Sequence, residues 1–382
     1  MDSRIASKVF GDVASLVKNA PLPTYNYCRM RGRRLLASNG VTDIDIPIDM
    51  EGEGTAGILF PAHEMAGLCR ALARAGEEIR WECDGDRIHV AHAYGDIWLK
   101  GLSADQYPAA TDLEPLPDPL AELSGDSLLA ALRLVEHVLL SRRSARSNEL
   151  VFAGAFLEIY PDGLSMVAMD GPRLACYQDN PRVNGKPVWA GIIPRNTVSM
   201  LIKRMSASSA SGSAVIFSGS QVGARFSFSD EHISTRLIDG TYPEWRKIMA
   251  IRNDLPATVT SESLIQALEI CAIAGPSQSA MPVRLEFSRD RLSISADNEY
   301  GTAQQTLPAQ YRAGKLSMLI DGALILESVK AISGLSAEES GSVEILHDAS
   351  PLRALRLLSQ DGKAFCGIMP MRGQKKEDPC EN

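Results

Sequence analysis

The sequence lacks the features of a membrane-spanning or secreted protein. No apolar run in its 382 residues approaches the roughly 18 residues that a membrane-crossing helix needs. The first residues, MDSRIASKVFGDV, lack an apolar core followed by a small-residue cleavage site, so we expect no secretory signal. The seven cysteines are odd in number and never spaced C-x-x-C, which favours a reducing compartment over a disulfide framework or a zinc site. We therefore expect a cytoplasmic protein with no membrane contact.

Positive charge is also scarce. Lysine and arginine total 39 against 47 aspartates and glutamates, which gives a formal net charge of −8. A protein that binds nucleic acid over its whole surface is usually basic. Any nucleic-acid contact must therefore come from a local basic patch. The hydrophobic share of 45% and the charged share of 23% are ordinary for a globular protein, which excludes disordered and low-complexity chains.

A threefold repeat is the main internal feature. Three alternating apolar and polar runs each reach an aspartate at a predicted bend and continue as a second strand: LLASNGVTDIDIPI (35–48), LSMVAMDGPRLACY (164–177) and LSISADNEYGTAQ (292–304). The anchors Asp43, Asp170 and Asp297 lie at equal intervals of 127 residues, one third of the chain.

Two amphipathic helix patterns accompany each bend. The helix before the bend is predicted at about 3–18, 125–141 and 261–273, and the helix after it at 61–75, 194–206 and 321–333. The candidate N-caps are Ser124 and either Thr260 or Ser261. Strand patterns fill the remainder, so each repeat has the order helix, strands, helix, strands, and the predicted class is α+β.

The repeat divides the chain into three similar domains and a tail. The domains are predicted at 1–120, 123–252 and 255–373, with a polar, flexible tail at 374–382. The proline-rich and acidic segment 111–123 and the segment 250–259 are the predicted linkers.

Four phrases in register with the repeat resemble the bacterial DNA polymerase III beta subunit family, the sliding clamps. They are LSADQYP (102–108), VAMDGPRLA (167–175), DGTYPEWR (239–246) and MPMR (369–372), and the resemblance covers about residues 3–373. It implies a DNA-clamp fold, with two helices packed on antiparallel sheets in each domain. It also implies a homodimer closed head to tail into a ring around duplex DNA.

The function implied by the resemblance is that of a sliding clamp, which tethers the replicative polymerase to DNA and confers processivity. Such a clamp is not an enzyme, and it needs no cofactor and no metal. Its partners would be double-stranded DNA, bound without sequence preference, and the polymerase III catalytic subunit and clamp loader. The alternative is a clamp-fold paralogue that acts as an interaction scaffold without encircling DNA.

The resemblance further implies an apolar groove that binds a short peptide of these partners. Carried over by position, the groove residues are Phe152, Met169, Gly171, Pro172, Arg173, Leu174, Pro243, Lys247, Ile248, Asp321, Leu324, Ile368, Met369, Pro370, Met371 and Arg372. Two features depart from the family. Pro172 stands where a polar residue or histidine is more usual, and the chain continues past Arg372, where the family usually ends one residue later.

Basic residues on the predicted helices are the candidate contacts to DNA, because phosphate contacts bind DNA without reading its sequence. They are Lys8, Lys18, Arg70, Arg74, Arg133, Lys203, Arg204 and Lys330, together with the dense cluster Arg142, Arg143 and Arg146. Solvated helix faces are the alternative interpretation. Across the ring interface, the resemblance places Ile97 and Leu99 opposite Ile273 and Ala274.

Other motifs carry less weight. A G-x-G-x-x-G pattern at 52–57 precedes a strand-like run, whereas a dinucleotide site needs a helix there. His89 and His92 would point to opposite faces of a strand, and Asp43 and Asp45 lack a third metal ligand. Ser15 and Lys18 lack the companion motifs of a Ser-Lys enzyme. An enzyme with an unrecognised site is the remaining alternative.

Overall fold

A computed structural model describes residues 2–18, 20–48, 57–76, 78–107, 118–139, 147–180, 186–207, 212–248, 255–273, 280–298, 301–335, 341–348 and 350–371. The chain forms two units. The first combines Met1–Leu129 with Gly191–Asp239, and the second combines Ala130–Ala190 with Gly240–Asn382. The three predicted domains follow the sequence repeat, so their boundaries differ from those of the two units. The division into three domains stays a prediction.

Seven α-helices lie in the described residues: α1 (Ser3–Val17), α2 (Ala62–Ala75), α3 (Gly125–Glu136), α4 (Arg195–Ala207), α5 (Trp245–Ile248), α6 (Ser261–Ile273) and α7 (Gly322–Ser333). All six predicted helices are present. Only α3 differs by more than two residues, because it ends at Glu136 rather than near 141. Within the described ranges, no helix is long and apolar enough to cross a membrane.

Side-chain caps fix two of the helix starts. Asp2 accepts hydrogen bonds from the N–H groups of Arg4 (2.7 Å) and Ile5 (3.4 Å) at the start of α1. Asp321 accepts one from Ala323 (3.0 Å) at the start of α7. Such bonds satisfy donors that have no partner inside the helix.

Twenty-four strands occupy most of the remaining described chain. They are β1 (Tyr27–Arg31), β2 (Arg34–Ser38), β3 (Thr42–Pro47), β4 (Ile58–Pro61), β5 (Arg80–Asp84), β6 (Arg87–His92), β7 (Gly95–Lys100), β8 (Leu102–Ser103), β9 (Ala121–Ser124), β10 (Gly154–Tyr160), β11 (Gly163–Met169), β12 (Arg173–Gln178), β13 (Trp189–Pro194), β14 (Ala214–Gly219), β15 (Gly223–Phe228), β16 (Glu231–Arg236), β17 (Leu255–Thr260), β18 (Pro282–Ser288), β19 (Arg291–Asn298), β20 (Gly301–Pro308), β21 (Leu316–Asp321), β22 (Ser342–His347), β23 (Leu355–Leu358) and β24 (Ala364–Ile368).

The first unit contains two antiparallel sheets. Nine strands lie in the order β8-β4-β1-β2-β3-β16-β15-β14-β9, and three lie in the order β5-β6-β7. The helices α1 and α2 pack on each other, and α1 also packs on β2. Apolar residues at helical spacing, Ala6, Val9, Phe10, Val13 and Val17, form the buried face of α1.

The second unit also contains a large and a small antiparallel sheet. Seven of its strands lie in the order β10-β11-β12-β24-β23-β22-β17, and four lie in the order β20-β19-β18-β21. The helices α6 and α7 pack on each other and on these strands. Helices on antiparallel sheets confirm the predicted α+β class.

Each large sheet joins strands from two consecutive sequence repeats. In the first unit β3 pairs with β16, and Asp43 lies opposite Ser234. In the second unit β12 pairs with β24, and Cys176 lies opposite Phe365. Both strand pairs between repeats follow the same pairing rule. The third strand after the first helix of one repeat pairs with the third strand after the second helix of the next.

The bend predicted at Asp43 is wrong. β2 ends at Ser38 and β3 starts at Thr42, so Asp43 is already the second residue of a strand. The turn is made by Asn39, whose N–H donates to the Thr42 carbonyl (3.2 Å). The Asn39 Oδ1 atom accepts a hydrogen bond from the Thr42 N–H (2.8 Å).

The second repeat makes the same turn with Asp170. Its N–H donates to the Arg173 carbonyl (3.2 Å), and its Oδ1 atom accepts from the Arg173 N–H (3.3 Å). The next residue is glycine in both turns, with φ of +84° at Gly40 and +93° at Gly171, where side chains are disfavoured. Asn39 is therefore the counterpart of Asp170, because both side chains supply the same acceptor.

Parts of both predicted linkers are strands. Residues 121–123 belong to β9 and residues 255–259 to β17. Both strands lie at the edge of a large sheet. Proline is tolerated in an edge strand, because an edge leaves some backbone donors without a partner strand. Pro256 therefore did not prevent strand formation.

Candidate functional site

The residues predicted to form the peptide groove gather where β24 ends. The Met369 N–H donates to the carbonyl of Pro172 (2.7 Å), and the Met371 N–H donates to the carbonyl of Leu319 in β21 (2.8 Å). The segment 369–371 thus connects the large and the small sheet of the second unit. Its backbone is held at both ends, while the Met369 side chain is 43% exposed. A fixed backbone therefore presents an accessible apolar side chain.

The turn at Asp170 forms one wall of this site. The Arg173 guanidinium, with only 11% of the side chain exposed, binds the Asp170 carboxylate (2.6 Å). It also donates to the backbone carbonyl of His137 (2.9 Å) and to the carboxylate of Glu327 on α7. These bonds hold the turn against α7 and leave Pro172 exposed beside Met369.

Burial and hydrogen bonding shift the pKa values of three groups in this wall. Burial lowers the pKa of Arg173, but its hydrogen bonds with Glu327 and Asp170 outweigh burial and raise the pKa overall. Burial and the neighbouring guanidinium lower the pKa of His137 to about 4. His137 is therefore neutral near pH 7. Burial also raises the pKa of Asp170, and the charge and hydrogen bonds of Arg173 oppose this shift.

An aromatic group forms a second wall. The ring of Tyr242 stacks on Phe156 with centroids 5.0 Å apart, and Phe152 meets it edge-on at 6.3 Å. The Tyr242 hydroxyl donates to the carbonyl of Val167 on β11 (3.5 Å). Pro243 follows in a half-buried position. Tyr242 and Phe156 were not predicted, although Tyr242 lies inside the DGTYPEWR phrase.

The rest of the predicted groove divides into a buried floor and a partly exposed rim. Buried side chains are Met169, Leu174 and Ile368. Half-buried ones are Asp321, Leu324, Pro370 and Met371. Lys247 is exposed and paired with Glu244. The side chain of Ile248 and the whole of Arg372 lie outside the described residues.

Comparison with known proteins agrees with this architecture. No family model matches the chain. The beta sliding clamp of Synechococcus elongatus is 26% identical over 284 residues, which covers 74% of each chain. The beta sliding clamp of Vibrio cholerae is 24% identical over 360 residues, which covers 92% of this chain and 93% of the relative.

Solved structures match over almost the whole chain. The sliding clamp of Bartonella birtlesii bound to griselimycin has a TM-score of 0.81 at 21% identity and covers 98% of both chains. The sliding clamp of Pseudomonas aeruginosa has a TM-score of 0.81 at 18% identity and covers 97% of this chain and 98% of that one. These relatives and structures support a divergent member of the beta sliding clamp family. The predicted clamp fold is confirmed.

Exposed basic residues lie on or just after the helices α1, α2 and α3. Lys8 on α1, Arg70 and Arg74 on α2, and Arg133 on α3 are exposed, as is Lys18 just after α1. Arg4 is also exposed and lies four residues before Lys8, so the two share a helix face. The sequence prediction missed Arg4, although this spacing was visible.

Arg204 does not belong to this set. Its side chain is 5% exposed and lies in a buried ion cluster with Asp12 of α1 and Glu231 of β16. Its guanidinium atoms lie 2.5 Å from the Asp12 carboxylate and 2.6 and 2.9 Å from the two oxygens of Glu231. A buried guanidinium paired in this way cannot reach a phosphate.

The remaining predicted DNA contacts are paired or lie elsewhere. Lys203 is exposed but bridges to Asp12 (2.7 Å), and Lys330 bridges to Glu269 of α6 (2.7 Å). Arg142, Arg143 and Arg146 lie outside the described residues.

The predicted ring-interface residues sit on strand β7 and at the end of α6. Ile97 and Leu99 are half-buried on β7, which is an outer strand of the three-stranded sheet. Ile273 is 83% exposed at the last residue of α6, and Ala274 lies outside the described residues.

The other sequence motifs form no site in the described part of the chain. Gly57 precedes a strand, and 52–56 lie outside the described residues. The His89 ring stacks on Trp98 with centroids 4.2 Å apart, and its Nε2 atom lies 2.8 Å from an Asp96 carboxylate oxygen. No group of three or more metal-ligating side chains comes together among the described residues.

The carboxyl group of Asp43 has a raised pKa because it is buried. Burial raises its pKa from 3.8 to about 6, although a hydrogen bond with Ser38 and the charges of Arg236 and Arg225 oppose this shift. A carboxylate with a raised folded-state pKa stabilises the fold when protonated. This contribution is present below the ordinary pKa and is lost as the pH rises through 6.

We expect Asp43→Asn to remove this pH dependence. Relative to the variant, the unsubstituted protein should lose about 2 kcal/mol of unfolding free energy between pH 4 and pH 7, since each pKa unit corresponds to about 1.4 kcal/mol. Urea titrations of both proteins at several pH values measure this difference. Stability curves that stay parallel across this range would contradict it.

Proposed function

We propose that the chain is a DNA sliding clamp, a non-catalytic protein that closes as a head-to-tail homodimer around duplex DNA. The observation that carries this proposal is the pairing rule between repeats. Within the chain, the rule is fulfilled twice, by β3 with β16 and by β12 with β24. Two strands remain for which the chain offers no such partner in the described sheets.

These strands are β20 in the third repeat and β7 in the first. β20 is the third strand after α6, and β7 is the third strand after α2. Both lie at the edge of their small sheets. By the same rule, β20 of one copy pairs with β7 of another, and two such contacts close a ring of two copies. Closure satisfies the open edges, which otherwise promote uncontrolled association.

The residues beside these edges support the pairing. Ile97 and Leu99 lie on β7, and the exposed Ile273 ends the helix that precedes the four-stranded sheet. A ring of two copies would contain six repeat units, and their equivalent helices would lie at equivalent positions in it. The exposed basic residues Lys8, Arg70 and Arg74 then supply phosphate contacts that hold DNA without reading its sequence.

The groove in the second unit is proposed to bind partners. Its fixed backbone, exposed methionine and aromatic wall suit a short apolar peptide, and methionine-rich surfaces adapt to several ligands. The peptide-bearing partners would be the catalytic subunit of polymerase III and the clamp loader. Solved clamps of the same fold hold griselimycin, which makes that compound a useful probe.

We expect Ile273→Glu to convert the dimer into monomers. A buried, unpaired carboxylate in an apolar contact costs several kcal/mol, so the dimer dissociation constant should rise about 100-fold or more. Light scattering over a dilution series measures this change.

In parallel, the unsubstituted protein, placed by a clamp loader, should stay on nicked circular DNA and slide off the same DNA after linearisation.

The matched control is Leu352→Glu, because Leu352 is also apolar and 70% exposed in the second unit. It should leave the dimer intact. A protein that is monomeric before any substitution, or that leaves circular and linear DNA at the same rate, would contradict the ring.

A further inference from the structure

The first hairpin of the chain carries four arginines within six residues. They are Arg29, Arg31, Arg33 and Arg34 in the segment RMRGRR, on a protein whose formal charge is −8. Arg29 and Arg31 belong to β1 and Arg34 starts β2, with a tight turn between them at Gly32 (φ +56°). None of the four belongs to the helices or the groove discussed above.

The charge of this hairpin is only partly compensated. Arg34 uses its guanidinium on Asp45 (2.6 Å) and Asp230 (3.2 Å). Arg31 and Arg33 are exposed and make no ion pair with any described side chain. Arg31 also lies directly opposite Arg34 in the hairpin. Because two carboxylates compensate Arg34, the charge left for a bound anion to neutralise is that of Arg31 and Arg33.

Arg29 adds a buried donor without a partner. Its Nε atom is inaccessible to water and has no hydrogen-bond partner among the described residues. A buried unsatisfied donor is costly, and such groups in native structures call for an explanation. The Nε atom itself is out of reach of a ligand, but Arg29 as a residue is only half-buried. The terminal nitrogens of a planar guanidinium suit a phosphate, which accepts two parallel hydrogen bonds.

An aromatic side chain completes the strip. Alternation along β1 places Tyr27, Arg29 and Arg31 on one face, about 7 Å apart from one to the next. Cys28 and Met30 point the other way, into the core. Tyr27 is partly exposed on this outer face. A half-exposed ring beside a row of cations is the combination that binds single strands, because bases stack on the ring and phosphates meet the cations.

We propose that the outer face of β1 and the hairpin turn bind single-stranded DNA, with Arg29, Arg31 and Arg33 on phosphates and Tyr27 stacked on a base. The aromatic member favours a single strand over a duplex, whose bases are already stacked and paired. The site lies on one hairpin of one copy and does not require a closed ring.

The test is a fluorescence anisotropy titration with a labelled 20-residue oligo(dT), in 50 to 200 mM salt. For Arg31→Ser with Arg33→Ser, the dissociation constant should rise about fivefold or more. The slope of log affinity against log salt should shrink by about 1.4, since each phosphate contact in a single strand contributes about 0.7. Tyr27→Leu should weaken binding and leave that slope unchanged.

The matched control is Arg312→Ser with Lys315→Ser, which removes two exposed cations elsewhere and should bind oligo(dT) as the unsubstituted protein does. An equal loss in this control would assign the effect to total charge and overturn the proposal. So would unchanged binding by the hairpin variant, or displacement of oligo(dT) by an equal concentration of poly-glutamate. A linear single strand slides through any ring, so this result is independent of whether the ring closes.

Discussion

Replacing Arg204 with methionine is expected to lower the free energy of unfolding by about 3–5 kcal/mol. The substitution leaves Asp12 and Glu231 as buried carboxylates without a counter-charge, and breaking a buried ion pair from one side has a cost of this size. Both carboxylates are buried in the first unit. Urea and thermal unfolding, followed by circular dichroism, measure the loss.

Two further variants make this experiment specific to the buried charges. Lys203→Met removes the exposed partner of Asp12 (2.7 Å) and should cost less than about 1 kcal/mol, as exposed pairs do. Combining Arg204→Met with Asp12→Leu and Glu231→Leu should recover most of the stability, because a well-packed apolar cluster can replace a buried ionic one. Equal losses for Lys203→Met and Arg204→Met would refute this description of the cluster.

The second large effect is expected in the groove. Changing Met369 to glutamate should raise the dissociation constant of a fluorescent clamp-binding peptide about 30-fold or more, because a charge then stands where an apolar anchor would be buried. Met369 is 43% exposed in the free protein, so the variant should fold normally. A polarisation titration with the peptide, and displacement by griselimycin, measure the effect.

Val222→Glu is the control for this substitution. Val222 is 56% exposed and lies in the other unit, so the variant carries the same new charge on an exposed apolar position. It should bind the peptide as the unsubstituted protein does. Tight peptide binding by the Met369→Glu variant would show that the peptide does not occupy this groove. Failure of the unsubstituted protein to bind the peptide would count against clamp function.

The helices were predictable from sequence because amphipathic spacing and caps are local signals. The bend at Asp43 was placed wrongly for an equally local reason. Asn39 and Asp170 differ in residue type, but they offer the same Oδ1 acceptor to the turn. An alignment of aspartates therefore missed the equivalence that hydrogen bonding reveals.

The candidate site was predictable in outline but not in its chemistry. The structure brings the phrases around Gly171 and Met369 together, yet nothing in them indicated that Arg173 would bind Glu327, more than 150 residues away. Arg204 looked like an exposed helix cation because its two counter-charges are remote in sequence. Long-range ion pairs are a property of packing, and a helical period cannot show which charges packing will bury.

The pairing rule between repeats also bears on where a subunit begins. Each pairing between repeats uses one half from each of two consecutive repeats, so the proposed ring would have no intrinsic first repeat. A circular permutant that starts near residue 118, with its old ends connected by a linker, would keep every strand pair. Its open edges would fall between the first and second repeats, at β3 and β16. The boundary between subunits would thereby move to the joint that holds the buried ion cluster, and dimerisation would become dependent on Arg204.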